Sequence, residues 1–406
     1  MRTRKLILAF FLTSLLFHIF GYSVLALRLE PFIHVFYLII WWSFIIGLDS
    51  IIALTRGRSL LISKGIFTTI AISSAYWSIF ELINVRIQNW FYINLPSEIA
   101  LRYFGYFFAF GTVIPAIVTV REALRFFVFR GMRLKKKVFI KNYPALSISL
   151  GSFTFLLMLF YPDYLFPFVW VAPLLVIDGI NYKRGHESFA NKIENGSYEE
   201  VLSTALSGLT CGLLWEFWNY FALAKWVYSV PFFEEMKLFE MPILGYFGFV
   251  FFALETSAFL NFLNGEGLSK KRLTTFAALL VCIFIFPLID RHTVFSFRPK
   301  LEELYFIEKE KIEYFKSLGI KSSYGLKAQL LSPFEQEKLK LLHLYGLGLP
   351  NLKKLEKAGV NSVEELAKLE ERELSQIIGE KNLRRVRLYL KEAEKLTKRS
   401  KGPQRS

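Results

Sequence analysis

Up to Asp290 the chain is a succession of long apolar runs separated by short polar loops. Each run approaches the roughly 20 residues that a helix needs to cross a hydrocarbon layer. The runs at 6–27, 32–54, 65–86, 100–120, 144–161, 164–182, 202–223, 243–264 and 273–289 predict about nine helical spans. Beyond residue 290 the apolar positions recur at helical spacing among charged ones, the pattern of a small soluble domain. The expected fold is all-α: a polytopic membrane helical bundle followed by a soluble all-α domain at 291–396. A basic end at 397–406 is expected to be disordered.

Composition agrees with the pattern. Hydrophobic residues make up 53% of the chain and aromatics 17%, with 43 Phe, far from the balance of a soluble domain. Cys211 and Cys282 both lie inside apolar runs, so no disulfide framework is implied. Met1-Arg-Thr-Arg-Lys5 precedes an apolar run long enough to span, and no small-residue cleavage site closes it. The first run therefore reads as a span and not as a leader. With the amino terminus inside, the inner loops hold twenty Lys and Arg against five outside. That bias places the chain in an inner or plasma membrane with a cytoplasmic amino terminus. Nine crossings then put the tail outside.

The membrane part repeats itself. Glu81-x2-Asn84, Trp90-x-Tyr92, Pro96 and Gly105-Tyr-Phe107 recur as Glu216-x2-Asn219, Trp226-x-Tyr228, Pro231 and Gly245-Tyr-Phe247. Upstream, Trp41-Trp42 to Asp49 and Arg56-Gly57 match Trp170 to Asp178 and Arg184-Gly185. The unit is four spans, so residues 1–141 and 142–272 form two copies and 273–290 adds a ninth span. An even-numbered unit keeps its orientation, giving a pseudo-two-fold axis along the membrane normal. A ligand site near that axis is the natural consequence, although a duplicated bundle also serves a purely structural role.

Ionisable side chains inside a bilayer are costly and mark functional candidates. Glu81 with Asn84, and Glu216 with Asn219, each share a helical face and present a carboxyl beside an amide. The alternative role is hydrogen bonding between helices. Glu255 lies mid-span, and its counterpart in the first copy is Pro115, which bends its own helix and frees a carbonyl. These three carboxyls are the candidate catalytic groups. Asp49 and Asp178 sit near the inner interface, where tying a helix end to a loop Arg competes with an anion site built from Arg56, Arg58, Ser59, Arg184 and Ser188. Trp90, Tyr92, Trp226 and Tyr228 suit an interfacial aromatic belt or the wall of a duplicated outer vestibule. The five His have no paired ligand spacing, and no phosphate loop or nucleophile elbow occurs, so neither metal nor cofactor is expected.

The tail segment Leu344-Tyr-Gly346-Leu-Gly348-Leu-Pro-Asn-Leu-Lys353-Lys354, with Ala358-Gly-Val360 and Ser362-Val-Glu-Glu-Leu366 after it, resembles a helix-hairpin-helix module. A degenerate earlier copy begins at Phe315-Lys-Ser-Leu-Gly319. The resemblance implies that Gly346, Gly348, Lys353 and Lys354 hold a nucleic-acid phosphate, or that the module contacts protein or a second copy of the chain. Pro231-Phe-Phe-Glu234-Glu235 resembles, with one residue more, the Pro-x-Glu-Glu motif of the small duplicated membrane carotenoid (lycopene) cyclases. That likeness implies acid/base chemistry on an isoprenoid lipid. Three classes stand side by side: a membrane-embedded lipid enzyme, a transporter or channel using the same carboxylates, and a scaffold acting through its tail.

Overall fold

The computed structural model describes residues 2–400 except 58, 60, 62–64, 134–136 and 233–235. It is overwhelmingly helical. The first half contains α1 (Arg2–Leu27), α2 (Phe36–Arg56), α3 (Ile66–Ile87), β1 (Trp90–Ile93), α4 (Ile99–Phe110) and α5 (Val113–Phe127). Next come α6 (Tyr143–Phe160), the short α7 (Pro162–Leu165), α8 (Phe168–Arg184), the short α9 (Phe189–Glu194) and α10 (Glu199–Phe221). They are followed by β2 (Lys225–Tyr228), the two-residue strands β3 (Lys237–Leu238) and β4 (Met241–Pro242), α11 (Tyr246–Gly265) and α12 (Arg272–His292).

Seven stretches are long and apolar enough to cross a membrane: Arg4–Leu27, Phe32–Arg56, Ile66–Ile87, Ile99–Phe127, Tyr143–Phe160, Ile243–Gly265 and Arg272–His292. The other two expected spans fall on α8, which has only 17 residues, and α10, which carries Glu199, Glu200, Glu216 and a buried Ser/Thr/Gly face. α8 packs against α6 and α11, and α10 against α11 and α5. Their polarity is turned inward. On α6 the apolar side chains Leu146, Leu150, Phe153, Leu156 and Phe160 instead form an exposed stripe at helical spacing, as a lipid-facing surface requires.

Pro115 acts as its chemistry dictates. The helix is interrupted between α4 and α5, where proline cannot donate to the preceding turn. Ser73 of α3 repairs the gap: its Oγ donates to the Phe110 carbonyl at 2.7 Å and accepts the Ile114 N–H at 3.0 Å.

At the opposite end from the amino terminus, β1 and β2 pair antiparallel, with Trp90 opposite Tyr228, Phe91 opposite Val227 and Tyr92 opposite Trp226. The all-α expectation missed this ribbon. Alternation decides its faces. Trp90, Tyr92, Trp226 and Tyr228 point into the bundle, while Phe91, Ile93 and Val227 form a small core with Leu388, Phe295 and Tyr345. The segment leaving α12 runs beside β1, with the Tyr92 N–H donating to Thr293 O at 2.8 Å and the Phe295 N–H to Tyr92 O at 2.9 Å.

The C-terminal part comprises α13 (Lys309–Ser317), α14 (Pro333–His343), α15 (Gly348–Lys357), α16 (Val363–Leu366), α17 (Glu371–Ile378) and α18 (Leu383–Ser400). Ser332 opens α14 with a reciprocal capping box to Glu335, and Ser362 caps α16. Leu341, Leu347, Leu352, Leu355, Leu366, Leu374 and Val386 fill a core separate from that of the bundle. The end expected to be disordered from 397 is helical as far as Ser400, continuing the amphipathic α18, and 401–406 lie outside the described residues.

This part rests on the ribbon. Asn382 Nδ2 donates to Gln88 Oε1 at 2.9 Å, Arg384 to the Ile87 carbonyl at 3.2 Å, and the Arg385 guanidinium stacks on Phe295 at 3.9 Å. Glu30, just after α1, accepts the Ser322 hydroxyl at 2.6 Å. Within the domain, His343 stacks on Tyr324 at 4.0 Å and bonds Ser323 Oγ at 2.9 Å, and burial pushes its pKa down to about 4. The neutral ring is the folded form. Its contribution is complete above the unfolded value of 6.5 and is lost as pH falls from there towards about 4. Limited proteolysis should therefore find the domain increasingly cleavable across that window. His343→Phe, which keeps the stacking, should remove this part of the pH dependence; an unchanged profile would refute the assignment.

Candidate functional site

The two Glu-x2-Asn segments build the same turn. Asn84 Oδ1 accepts the backbone N–H of Asn89 at 2.9 Å, and its Nδ2 donates to the Trp90 carbonyl at 2.8 Å. Asn219 Oδ1 accepts the Trp226 N–H at 3.0 Å, and its Nδ2 donates to the Trp226 carbonyl at 2.9 Å. Both amides, expected beside a substrate, are engaged by the main chain. Their work is to turn helix into strand.

That turn sets the aromatic residues over the carboxyls. Oε1 of Glu81 accepts three hydrogen bonds, from Trp77 Nε1 at 2.9 Å, Trp90 Nε1 at 2.9 Å and the Tyr92 hydroxyl at 2.6 Å. Oε1 of Glu216 accepts the Tyr228 hydroxyl at 2.8 Å, and that hydroxyl accepts Trp226 Nε1 at 3.0 Å. Both carboxyls are fully buried, and in each the second oxygen, Oε2, has no hydrogen-bond partner among the described residues. Each group thus has one oxygen fixed by aromatic donors and one free to hold a proton.

The same aromatic residues wall a cavity of about 450 Å³ beneath the ribbon. Tyr37, Trp77, Trp90, Tyr92, Tyr106 and Phe110 line it from the first half, and Trp170, Trp215, Trp226, Tyr228, Phe249 and Phe252 from the second. Leu101, Phe104 and Leu244 also line it and are exposed on the outside of the bundle, so the cavity reaches the lipid-facing surface. Its charged lining residues are neutralised. Arg102 makes a two-pronged contact with Asp290 at 2.8 and 2.5 Å, supported by Tyr106, and Lys225 pairs with Glu240 at 2.6 Å. Such a lining suits an apolar, uncharged chain.

Glu255 stands apart. It hydrogen-bonds Tyr76 of α3, whose hydroxyl also lies 2.8 Å from Thr256 Oγ1, and Tyr76 is stacked between Phe252 and Phe259. Neither Glu255 nor Tyr76 lines the cavity. The pair joins the two halves from behind its wall.

Asp49 and Asp178 also do matching work. Asp49 accepts the Ser59 hydroxyl and the Leu61 N–H, while Asp178 accepts the Phe189 N–H at 2.7 Å and the Tyr143 hydroxyl at 2.7 Å. Each accepts a backbone amide from the segment that follows its helix, and Asp178 also ties its helix to the start of α6 through Tyr143. The loop arginines pair elsewhere, Arg56 with Glu122 at 2.8 Å and Arg184 with Glu266. Arg58 of the considered anion site lies outside the described residues, as do Phe233, Glu234 and Glu235.

In the C-terminal part Gly346 and Gly348 take φ of 66° and 75° and lie against Ile93 and Ser296. A Cβ on Gly346 would stand 2.5 Å from that of Ile93. The hairpin expected to hold a phosphate is pressed onto the chain's own ribbon. Lys354 donates to the Ile378 carbonyl at 2.5 Å, and Lys353 lies over the Tyr305 ring at 4.9 Å.

Sequence reasoning missed Trp77 and the Arg102–Asp290 pair, and named Trp170 and Tyr106 only as markers of the repeat. An Asp closing the last apolar run was the available signal for that pair. No family model, curated protein or solved structure matches the chain.

Proposed function

We propose that the chain is a membrane-embedded enzyme acting on an apolar lipid of the isoprenoid kind by acid/base chemistry. The observation that carries the reading is the pairing of each buried carboxyl with a cavity-lining tyrosine, Glu81 with Tyr92 and Glu216 with Tyr228. A tyrosine hydroxyl can pass its proton to the carboxylate oxygen it already bonds, Oε1, while taking one from a substrate carbon. The opposite pair can deliver a proton by the reverse route once its carboxyl carries one on that oxygen. One proton in and one out balances an isomerisation or a cyclisation without a cofactor. A transport path would call for polar groups along the axis; the aromatic lining and lateral opening favour a lipid instead.

In this reading the chain crosses the membrane nine times, with α8 and α10 as inner spans of a duplicated four-helix unit. The equivalent placing of Asn84 and Asn219, of Asp49 and Asp178, and the antiparallel ribbon centred between Phe91 and Val227 all support the duplication. The amino terminus is cytoplasmic and the C-terminal domain outside, where it covers the ribbon. Glu255 with Tyr76 joins the halves.

The test compares the apolar lipid fraction of cells expressing the protein, Glu81→Gln, Glu216→Gln, or Tyr92→Phe combined with Tyr228→Phe. The unaltered protein should convert one apolar lipid into an isomer of equal mass. The variants should accumulate and co-purify with the unconverted lipid. Identical lipid profiles from all of them would sink the proposal.

A further inference from the structure

The cavity beneath the ribbon has a rim that occurs twice. Counted from the repeated Asp49 and Asp178, Leu38 matches Pro167. Counted from Gly105 and Gly245, Leu101 matches Met241 and Phe104 matches Leu244. All six line the same cavity. Phe104 and Leu244 are also exposed on the outside of the bundle to the same degree, 54% and 52%. Each stands near the start of a stretch long enough to cross a membrane, Ile99–Phe127 and Ile243–Gly265. Both rims therefore meet lipid.

The rims belong to different helices. α4 packs on α2, α3 and α12, while α11 packs on α8, α10 and α5. Leu38 lies in the first turn of α2, and Pro167 immediately precedes α8. One cavity thus reaches the surface twice, once beside α2 and α4 and once beside α8 and α11. Its lining is mainly aromatic, and Arg102 and Lys225 within it are already paired with Asp290 and Glu240. Neither cation is left to attract a charged head group, so the ends of a bound chain gain nothing by staying inside.

We propose that the cavity is a passage with two mouths, through which a linear hydrocarbon chain threads with its middle under the ribbon and both ends in the bilayer. The inference rests on the lipid reading above and narrows it. The substrate is a long isoprenoid without a head group, and the reacting double bond lies inside the chain. A proton lost from an allylic carbon and one gained by the far alkene carbon move that bond one place along. The mass is unchanged, and no oxidant or reductant is consumed. Tyr92 and Tyr228, both in the lining, are the groups that exchange these protons.

The test plugs one mouth at a time in the full chain, after folding. Phe104→Cys and Leu244→Cys place one thiol at each rim, and the native Cys211 and Cys282 are buried and do not compete for the label. Each variant is purified in detergent, labelled or not with a bulky pyrene maleimide, and loaded with squalene or with the shorter hydrocarbon farnesene. The retained hydrocarbon is then extracted and measured against protein. Both unlabelled variants should retain both hydrocarbons as the unaltered protein does. Labelling either rim should lower squalene retention about tenfold, while farnesene, which fits without crossing both mouths, is largely kept. Loss of squalene from only one labelled variant would mean a single mouth and a chain inserted by its end, and would overturn the proposal. So would farnesene loss as deep as that of squalene, or no loss from either. Retention of neither hydrocarbon by the unaltered protein would sink the lipid reading as well.

Discussion

Glu81→Leu should destabilise the protein by about 3 kcal/mol or more, while Glu216→Leu should cost about 1 kcal/mol. The asymmetry follows from the donors left behind. At Glu81 the indoles of Trp77 and Trp90 and the Tyr92 hydroxyl all converge on one oxygen, so its removal strands three buried donors. Each costs roughly 1–3 kcal/mol when unsatisfied, less whatever repacking recovers. At Glu216, among the described residues, the Tyr228 hydroxyl donates at 2.8 Å, while Trp226 Nε1 keeps that hydroxyl as its acceptor at 3.0 Å after the change. Glu81→Gln keeps an acceptor oxygen under the three donors and should melt close to the unaltered protein. Thermal unfolding in lipid nanodiscs compares all three. Equal losses for the two Leu variants would contradict the described hydrogen bonding.

A second large effect is expected from a single methyl group. Gly208 and Gly212 lie one turn apart on the face of α10 that meets α11. A Cβ on Gly208 would stand 2.1 Å from the Phe249 carbonyl oxygen and 2.7 Å from Ala253 Cβ. On Gly212 it would stand 2.2 Å from the Phe249 ring. Backbone cannot give way as a flexible side chain can, so Gly208→Ala must separate the two helices. Overpacking of this kind costs about 1–3 kcal/mol and at times more. It also displaces Phe249 and Phe252, which wall the cavity. Gly105→Ala is the control, because nothing lies within 4 Å of the added carbon. Gly208→Ala should melt well below the control; matching melting curves would mean that the α10–α11 contact is looser than described.

The sequence made the helices legible because each apolar run had to be continuous to satisfy its backbone in lipid. It was less informative about α8 and α10. Their polar residues are covered by other helices, and a hydropathy pattern cannot tell polarity facing a neighbour from polarity that prevents insertion. Glu81 and Glu216 stood out as buried charge, but their partners lay in strands too short to be read as such. Trp-Phe-Tyr-Ile and Lys-Trp-Val-Tyr have β-forming composition, yet four residues flanked by helices read equally well as an aromatic belt. The adjacent Asn was read as a ligand group because the turn that it closes was invisible without the ribbon. Gly346 and Gly348 were legible as a turn between helices. What that turn would touch was not, since its neighbours, Ile93 and Ser296, are distant in sequence.

The ribbon has a consequence for how the protein is made. β1 leaves the ribosome more than a hundred residues before β2. Until β2 arrives, the first half carries an unpaired strand edge, with Phe91 lacking the cover of Val227 and Leu388. Such an edge is an invitation to pair with another newly made chain. The C-terminal domain, which follows both strands in the chain, packs over the finished pair. The ribbon is therefore complete only once both strands have been made, and a chain ending before α18 would lack the Leu388 side chain that packs on its outer face.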